Sequence, residues 1–351
     1  MPEPDFKTVQ VFLVEREGNT RRLLRSILAR MGMDRMFEFT TPAEASAALS
    51  TTMPDLILVD CDPPDGDGFR FINQLRHSGQ ATNPFVCAIA TTWQPTQPLM
   101  VRFTGSGADD LLVKPFSAKQ VQDRVMNLMD GRKSFVVTSD YIGPDRRRAP
   151  REGIQIPLFD VPNTLRQKAL GQFDRTTIGD QIFFALASIN EQKVVRHGFQ
   201  TAFLMEFAAP GLAATPPDRM AMDHVLRIPP VVEDMLRRIP ARDETRMQTE
   251  LYAKVILDAL ARFKQNPALP LEDLPTVKRA AMGLAALTAR RTDLPALEQE
   301  VAAAVGAYRN RLDQMAQAKA QASQTSPPAG GDKPADRPAD KTGVEKAASG
   351  A

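Results

Sequence analysis

From residue 9 to residue 130, short apolar runs rich in β-branched side chains alternate with stretches whose apolar positions recur at helical spacing. That alternation is the βαβ rhythm of a parallel sheet. It predicts strands at residues 9–14, 36–39, 56–60, 85–90 and 110–113, and helices at 20–31, 42–49, 69–76, 96–104 and 118–128. Five such units predict an open, doubly wound α/β sheet, whose functional residues gather outside the carboxyl ends of the strands. Glu15 and Arg16 follow the first predicted strand, Asp60 ends the third, Thr92 follows the fourth and Lys114 follows the fifth.

Past residue 130 the periodicity fails. Gly143-Pro144-Asp145-Arg146-Arg147-Arg148-Ala149-Pro150-Arg151 reads as an exposed basic stretch. Beyond Val161 the patterns are helical, punctuated by Pro210, Pro217, Pro240, Pro267, Pro270, Pro275 and Pro295, which predicts a separate all-α bundle. The last helix carries an apolar stripe at Leu297, Val301, Val305, Tyr308, Leu312 and Met315, suited either to pairing two chains as a homodimer or to packing within its own bundle. After Ala322 a Pro-, Ala- and Asp-rich tail has too little apolar surface to offset ordering entropy, and is expected to be disordered.

Composition narrows the function classes. The formal net charge of +2 marks no global polyanion binder, and 43% hydrophobic residues suffice for real cores. The two cysteines, Cys61 and Cys87, sit in strand-like runs and read as small buried hydrophobes. With no signal pattern at the amino terminus and no apolar run of about 18 residues, a reducing, cytoplasmic setting is expected. A helix-turn-helix would need a tight turn, and the proline-rich connection from Lys264 to Pro275 is too long for one, so DNA binding is not expected.

The chemistry lies in the first half. The third strand runs Pro54-Asp55-Leu56-Ile57-Leu58-Val59-Asp60 and continues Cys61-Asp62-Pro63-Pro64-Asp65-Gly66-Asp67-Gly68. The fifth runs Ser106-Gly107-Ala108-Asp109-Asp110-Leu111-Leu112-Val113-Lys114-Pro115-Phe116. Residues 8–130 resemble the response regulator receiver family of two-component signalling in these motifs, and in the intervals from Glu15 to Asp60 and from Thr92 to Lys114. The resemblance implies a flavodoxin-like receiver fold at residues 1–131, while the patterns beyond it predict a basic linker at 132–160, a helical output domain at 161–321 and the tail at 322–351. It implies Asp60 as phosphoacceptor, Lys114 as phosphoryl and carboxylate partner, Thr92 as switch hydroxyl, Glu15 as first pocket acid, and Asp62 as donor of a backbone carbonyl to magnesium. The bond from Lys114 to Pro115 is often cis in the family.

Three positions depart from the family pattern. Arg16 replaces the second metal-binding acid, and exchanging −1 for +1 about 4 Å from a divalent ion costs several kcal/mol at an effective dielectric near 20. Millimolar binding is worth only about 4 kcal/mol, so magnesium is in question unless Glu17 or Asp62 substitutes. Arg16 is either a built-in cation for Asp60 or an arginine turned to solvent. Trp93 stands where a small residue is usual, and is either a cover for the site or a half-exposed loop aromatic. Leu111 replaces the aromatic switch residue and is most simply a core side chain.

His224 lacks the adjacent acid of a kinase phosphoacceptor box, since Val225 follows it, and His197 and His77 read as structural and solvent-facing. No nucleophile–base pair, metal cluster or phosphate loop follows residue 160, so no enzyme is expected there. The sequence thus points to a response regulator of a phosphorelay that takes a phosphoryl group on Asp60 from a histidine kinase or histidine phosphotransfer protein. Its helical domain would bind a protein partner. The alternative is a pseudo-receiver that acts as an adaptor without phosphorylation.

Overall fold

The computed structural model describes residues 3–62, 67–77, 83–147, 157–269 and 271–325. Its first part is a five-stranded parallel sheet built from β1 (Gln10–Val14), β2 (Arg35–Phe39), β3 (Leu56–Asp60), β4 (Cys87–Thr92) and β5 (Asp110–Val113), in the order β2-β1-β3-β4-β5. Alternation sorts the central strands onto two cores. Val11, Leu13, Leu56, Leu58, Cys87 and Ile89 meet α1 (Gly18–Arg30) and α5 (Ala118–Asp130) on one face. Phe12, Val14, Ile57, Val59, Ala88 and Ala90 meet α2 (Pro42–Ala48), α3 (Gly68–His77) and α4 (Gln97–Ser106) on the other. The doubly wound α/β class is therefore as expected.

Caps fix the helix entries. The carboxylate of Glu17 accepts from the Asn19 and Thr20 amides at the start of α1, while Thr41 with Glu44 and Ser117 with Gln120 form capping boxes on α2 and α5. The fourth strand runs later than its apolar pattern suggests. Thr91 and Thr92 belong to it, because Thr92 pairs with Val113 and its carbonyl accepts from the Lys114 amide at 2.7 Å.

The exposed linker expected over residues 132–160 is not what its described part shows. β6 (Phe135–Val137), β7 (Ile142–Pro144) and β8 (Leu158–Phe159) form an antiparallel sheet in the order β7-β6-β8, and β6 and β7 are buried throughout. Two guanidiniums approach the Phe135 ring, that of Arg76 at 5.3 Å and that of Arg132 at 5.0 Å. Both arginines pair with the buried Asp109, at 3.0 and 2.8 Å. Burial lowers Arg76 to about 10 despite the attraction of Asp109. Arg146, read from sequence as a solvated charge, instead donates to the Ala108 carbonyl and stacks 4.0 Å from the Phe103 ring. Arg147 pairs with Asp145 at 2.8 Å, and Arg148 and Arg151 lie outside the described residues.

The helical part comprises α6 (Thr164–Ala169), α7 (Arg175–Leu212), α8 (Arg219–Val225), α9 (Ile228–Arg238), α10 (Arg246–Gln265), α11 (Leu274–Thr288) and α12 (Leu294–Thr325). Prolines open α9, α11 and α12 at the first turn, where no intrahelical N–H is lost, whereas α7 continues two residues past Pro210. Gly198 lets α7 approach α11 closely, since a Cβ there would lie 2.1 Å from the Thr288 hydroxyl oxygen. One core joins α7 to α11, with Leu204, Leu212, Val232, Ile256, Leu260 and Leu284 at its centre. Leu297 and Val301 of the final stripe pack with Ala202 and Ala285.

The amino-terminal half of α7 bears on the small sheet, with Ile178, Ile182 and Ile189 against Phe135, Val137 and Phe85. Lys168 of α6 pairs with the fully buried Asp55 at 2.7 Å. Asp55, Phe85 and Asp109 all precede strands, so the appended elements attach to the amino-terminal edge of the parallel sheet. The chain divides into two units, Met1–Ala302 and Ala303–Ala351. Because α12 runs through Thr325, the tail does not lose its helix at residue 322, and residues 326–351 lie outside the described residues.

Candidate functional site

At the carboxyl edge of the sheet four predicted residues meet in one pocket. The ammonium of Lys114 lies 2.8 Å from Glu15 Oε2, 2.8 Å from Asp60 Oδ1 and 3.7 Å from Asp62 Oδ2. Glu15 is 1% exposed and Lys114 3%, whereas the Asp60 side chain keeps 18% of its surface. Burial raises Glu15 against the opposing pull of Lys114. Burial alone would lower Lys114, but its hydrogen bonds to Asp60 and Glu15 outweigh that and hold it above its ordinary value. The bond from Lys114 to Pro115 is cis.

Backbone contacts fix the first acid. Glu15 Oε1 accepts from the Glu17 amide at 3.0 Å, and Arg21 donates to the carbonyls of Glu15 and Arg16 at 2.7 and 3.3 Å. Arg16 itself is exposed. On the far side, Gly68 at the start of α3 closely approaches the backbone of Asp60. A Cβ there would lie 2.3 Å from the Asp60 carbonyl oxygen and 2.8 Å from Cys61 Sγ. Only glycine permits that approach.

The side chain of Asp62 turns into the pocket. Oδ1 accepts from the Thr92 hydroxyl, and Oδ2 accepts from the Trp93 amide at 2.8 Å. The Asp62 amide donates to Asp60 Oδ1 at 3.2 Å. This role was readable in principle, because the β3–β4 register pairs Asp60 with Thr91 and so carries the next residues of both strands toward one another. Trp93 is 49% exposed, with its ring centroid 5.8 Å from the Lys114 ammonium, so it is a half-exposed aromatic that also overhangs the site. Leu111 is half-buried and packs on the core beneath α2, α3 and α4.

The donors present do not fit the magnesium that the resemblance implies. Both oxygens of Glu15 and both of Asp62 are engaged by N–H, O–H or ammonium donors, and an arginine stands at the second acid position. Among the described residues no group of three or more His, Cys, Asp or Glu side chains is arranged to hold a metal ion. A cationic lysine already serves the buried acids from within.

A doubly wound sheet that gathers a strand-end aspartate, a lysine and a threonine at its carboxyl edge is the receiver class of signalling domain. Residues 11–126 match the family model of the response regulator receiver domain, and this part of the chain is a receiver domain of that family. The KDP operon transcriptional regulatory protein of Escherichia coli K12 is 36% identical over 115 residues, which is 33% of this chain and 48% of that protein. The phosphate regulon transcriptional regulatory protein of the same organism is 29% identical over 120 residues, covering 34% and 51%. The chain thus spans about half the length of the curated relatives it matches. A solved signal receiver domain of a histidine kinase from Syntrophus aciditrophicus is 27% identical, covering 35% of this chain and 92% of that one at a TM-score of 0.32. Among the described residues no helix is long and apolar enough to cross a membrane.

Proposed function

We propose that this chain is a response regulator of a phosphorelay, in which Asp60 accepts a phosphoryl group from a histidine kinase or histidine phosphotransfer protein. The observation that carries the reading is the Lys114 ammonium held at 2.8 Å from both Glu15 and Asp60, beside the Thr92 hydroxyl. Oδ1 of Asp60 is occupied by Lys114 and the Asp62 amide, which leaves Oδ2 to attack phosphorus. The bond from phosphorus to the donor imidazole nitrogen breaks as the bond to the carboxylate oxygen forms. The product gains about −1.5 to −2 charges, compensated by Lys114 and by Arg16. The setting is cytoplasmic, and the output of the helical region is capture of a protein partner rather than catalysis. The names of the curated relatives speak of transcription, but the family match ends at residue 126, before the helical region that opens with α6 at Thr164.

The test is transfer of labelled phosphoryl from acetyl phosphate and from a phosphorylated histidine phosphotransfer protein to wild type and Asp60→Asn. Label on the wild type alone supports the reading. Label on neither protein from either donor sinks it, and favours the second reading, a pseudo-receiver adaptor. What supports that alternative is the Asp62 carboxylate already seated on Thr92 and Trp93.

A further inference from the structure

Three donors converge beside Asp60: the Thr92 hydroxyl, the Trp93 amide and the Lys114 ammonium. A hydroxyl, an amide and an ammonium aimed at one spot form an anion cradle. The cradle already holds an anion, the carboxylate of Asp62. A phosphoryl group on Asp60 would need the same three donors for its own oxygens, and two anions cannot share them. We propose that Asp62 is an intramolecular ligand of the oxyanion pocket, one that must withdraw before a phosphoryl group at Asp60 can engage Thr92, the Trp93 amide and Lys114.

The assignment rests on reading this pocket as the phosphoryl site. Asp62 lies two residues from Asp60 on the same chain, so it competes at the high effective concentration of a short tether. Its planar carboxylate spans the hydroxyl and the amide, with its nearer oxygen 3.7 Å from Lys114. A tetrahedral oxyanion adds a further oxygen that can reach the ammonium directly. Asp62 therefore sets the threshold for phosphoryl uptake, and holds Thr92 and Trp93 meanwhile on a negative charge of the protein's own.

The test separates this from the fate of Asp60. In the full chain carrying Asp60→Asn, which removes covalent chemistry, inorganic phosphate is titrated and followed by Trp93, the only tryptophan, and by calorimetry. Adding Asp62→Ala is expected to tighten phosphate binding by about tenfold or more, through release of three charge-assisted or neutral donors. Adding the near-isosteric Asp62→Asn instead, which preserves packing, should give an intermediate gain. Equal affinity with and without the Asp62 carboxylate overturns the proposal. In a second arm, Asp62→Ala should label faster than wild type with acetyl phosphate. Tighter phosphate binding with no label in either protein leaves the pocket assignment standing and removes Asp60 as acceptor. Unchanged affinity with normal labelling does the reverse.

Discussion

Replacing Lys114 with methionine tests the energetics of the site most directly. The lysine lies 2.8 Å from each of two carboxylates, and at an effective dielectric of about 20 each contact is worth roughly 6 kcal/mol of gross attraction. Desolvation of the ammonium and repulsion between the acids offset most of that. What decides the result is Glu15, 1% exposed, which would be left charged and buried without its cation. Breaking a buried pair on one side costs about 3–5 kcal/mol, and that is the loss expected for Lys114→Met near neutral pH. The loss must depend on pH. Without Lys114, burial and the negative charge of Asp60 act on Glu15 against the Glu17 amide alone, and raise it further above the ordinary carboxylate range. Above pH 4.5 the unfolded chain then releases a proton that the folded chain retains, so the deficit grows as pH rises and shrinks on acidification toward 4.5. Urea unfolding of both proteins between pH 5 and 8, followed by Trp93 fluorescence, gives both quantities. Adding Glu15→Gln should recover much of the loss and flatten the pH dependence. A loss below about 1 kcal/mol, or one that does not change with pH, would refute the reasoning.

Gly68→Ala places a Cβ 2.3 Å from the Asp60 carbonyl oxygen, so the start of α3 must shift; a loss of about 1–3 kcal/mol and an altered Trp93 emission are expected, measured on one urea titration. His77 is lowered to about 4, chiefly by burial and then by the charge of Lys193. As pH falls from 6.5 the unfolded chain takes up a proton that the folded chain refuses, so stability should decline until about pH 4, by on the order of 3 kcal/mol at most. His77→Gln should remove that share of the decline, and identical profiles for the two proteins would count against it.

The sheet was legible because its signals are local. Short, nearly continuous apolar runs mark the buried central strands, and Asp60, Glu15 and Lys114 fall at strand ends by counting alone. The small sheet is not legible in the sequence, since Phe135-Val136-Val137 is a run of only three, and Phe135 packs against Arg76, which is distant in sequence, as well as Arg132. For the same reason Arg146 looked like solvent-facing charge, although its stem and guanidinium cover Phe103. The pocket was legible by residue type and not by contact. Nothing local says that Asp62 reaches Thr92, because that depends on the β3–β4 register.

The helix α3 abuts the Asp60 backbone at Gly68 and carries in its last turn Arg76, whose guanidinium binds the Gly107 and Pro84 carbonyls and faces Phe135. Ten residues make it a rod of about 15 Å with one end at each pole of the sheet. The helical body is attached at the pole opposite Asp60, so a charge added at that residue would not touch it. Were a charge added at Asp60, its effect could reach the helices only as displacement carried through the strands or along α3, and the stiffness of that rod would set how much survives the journey.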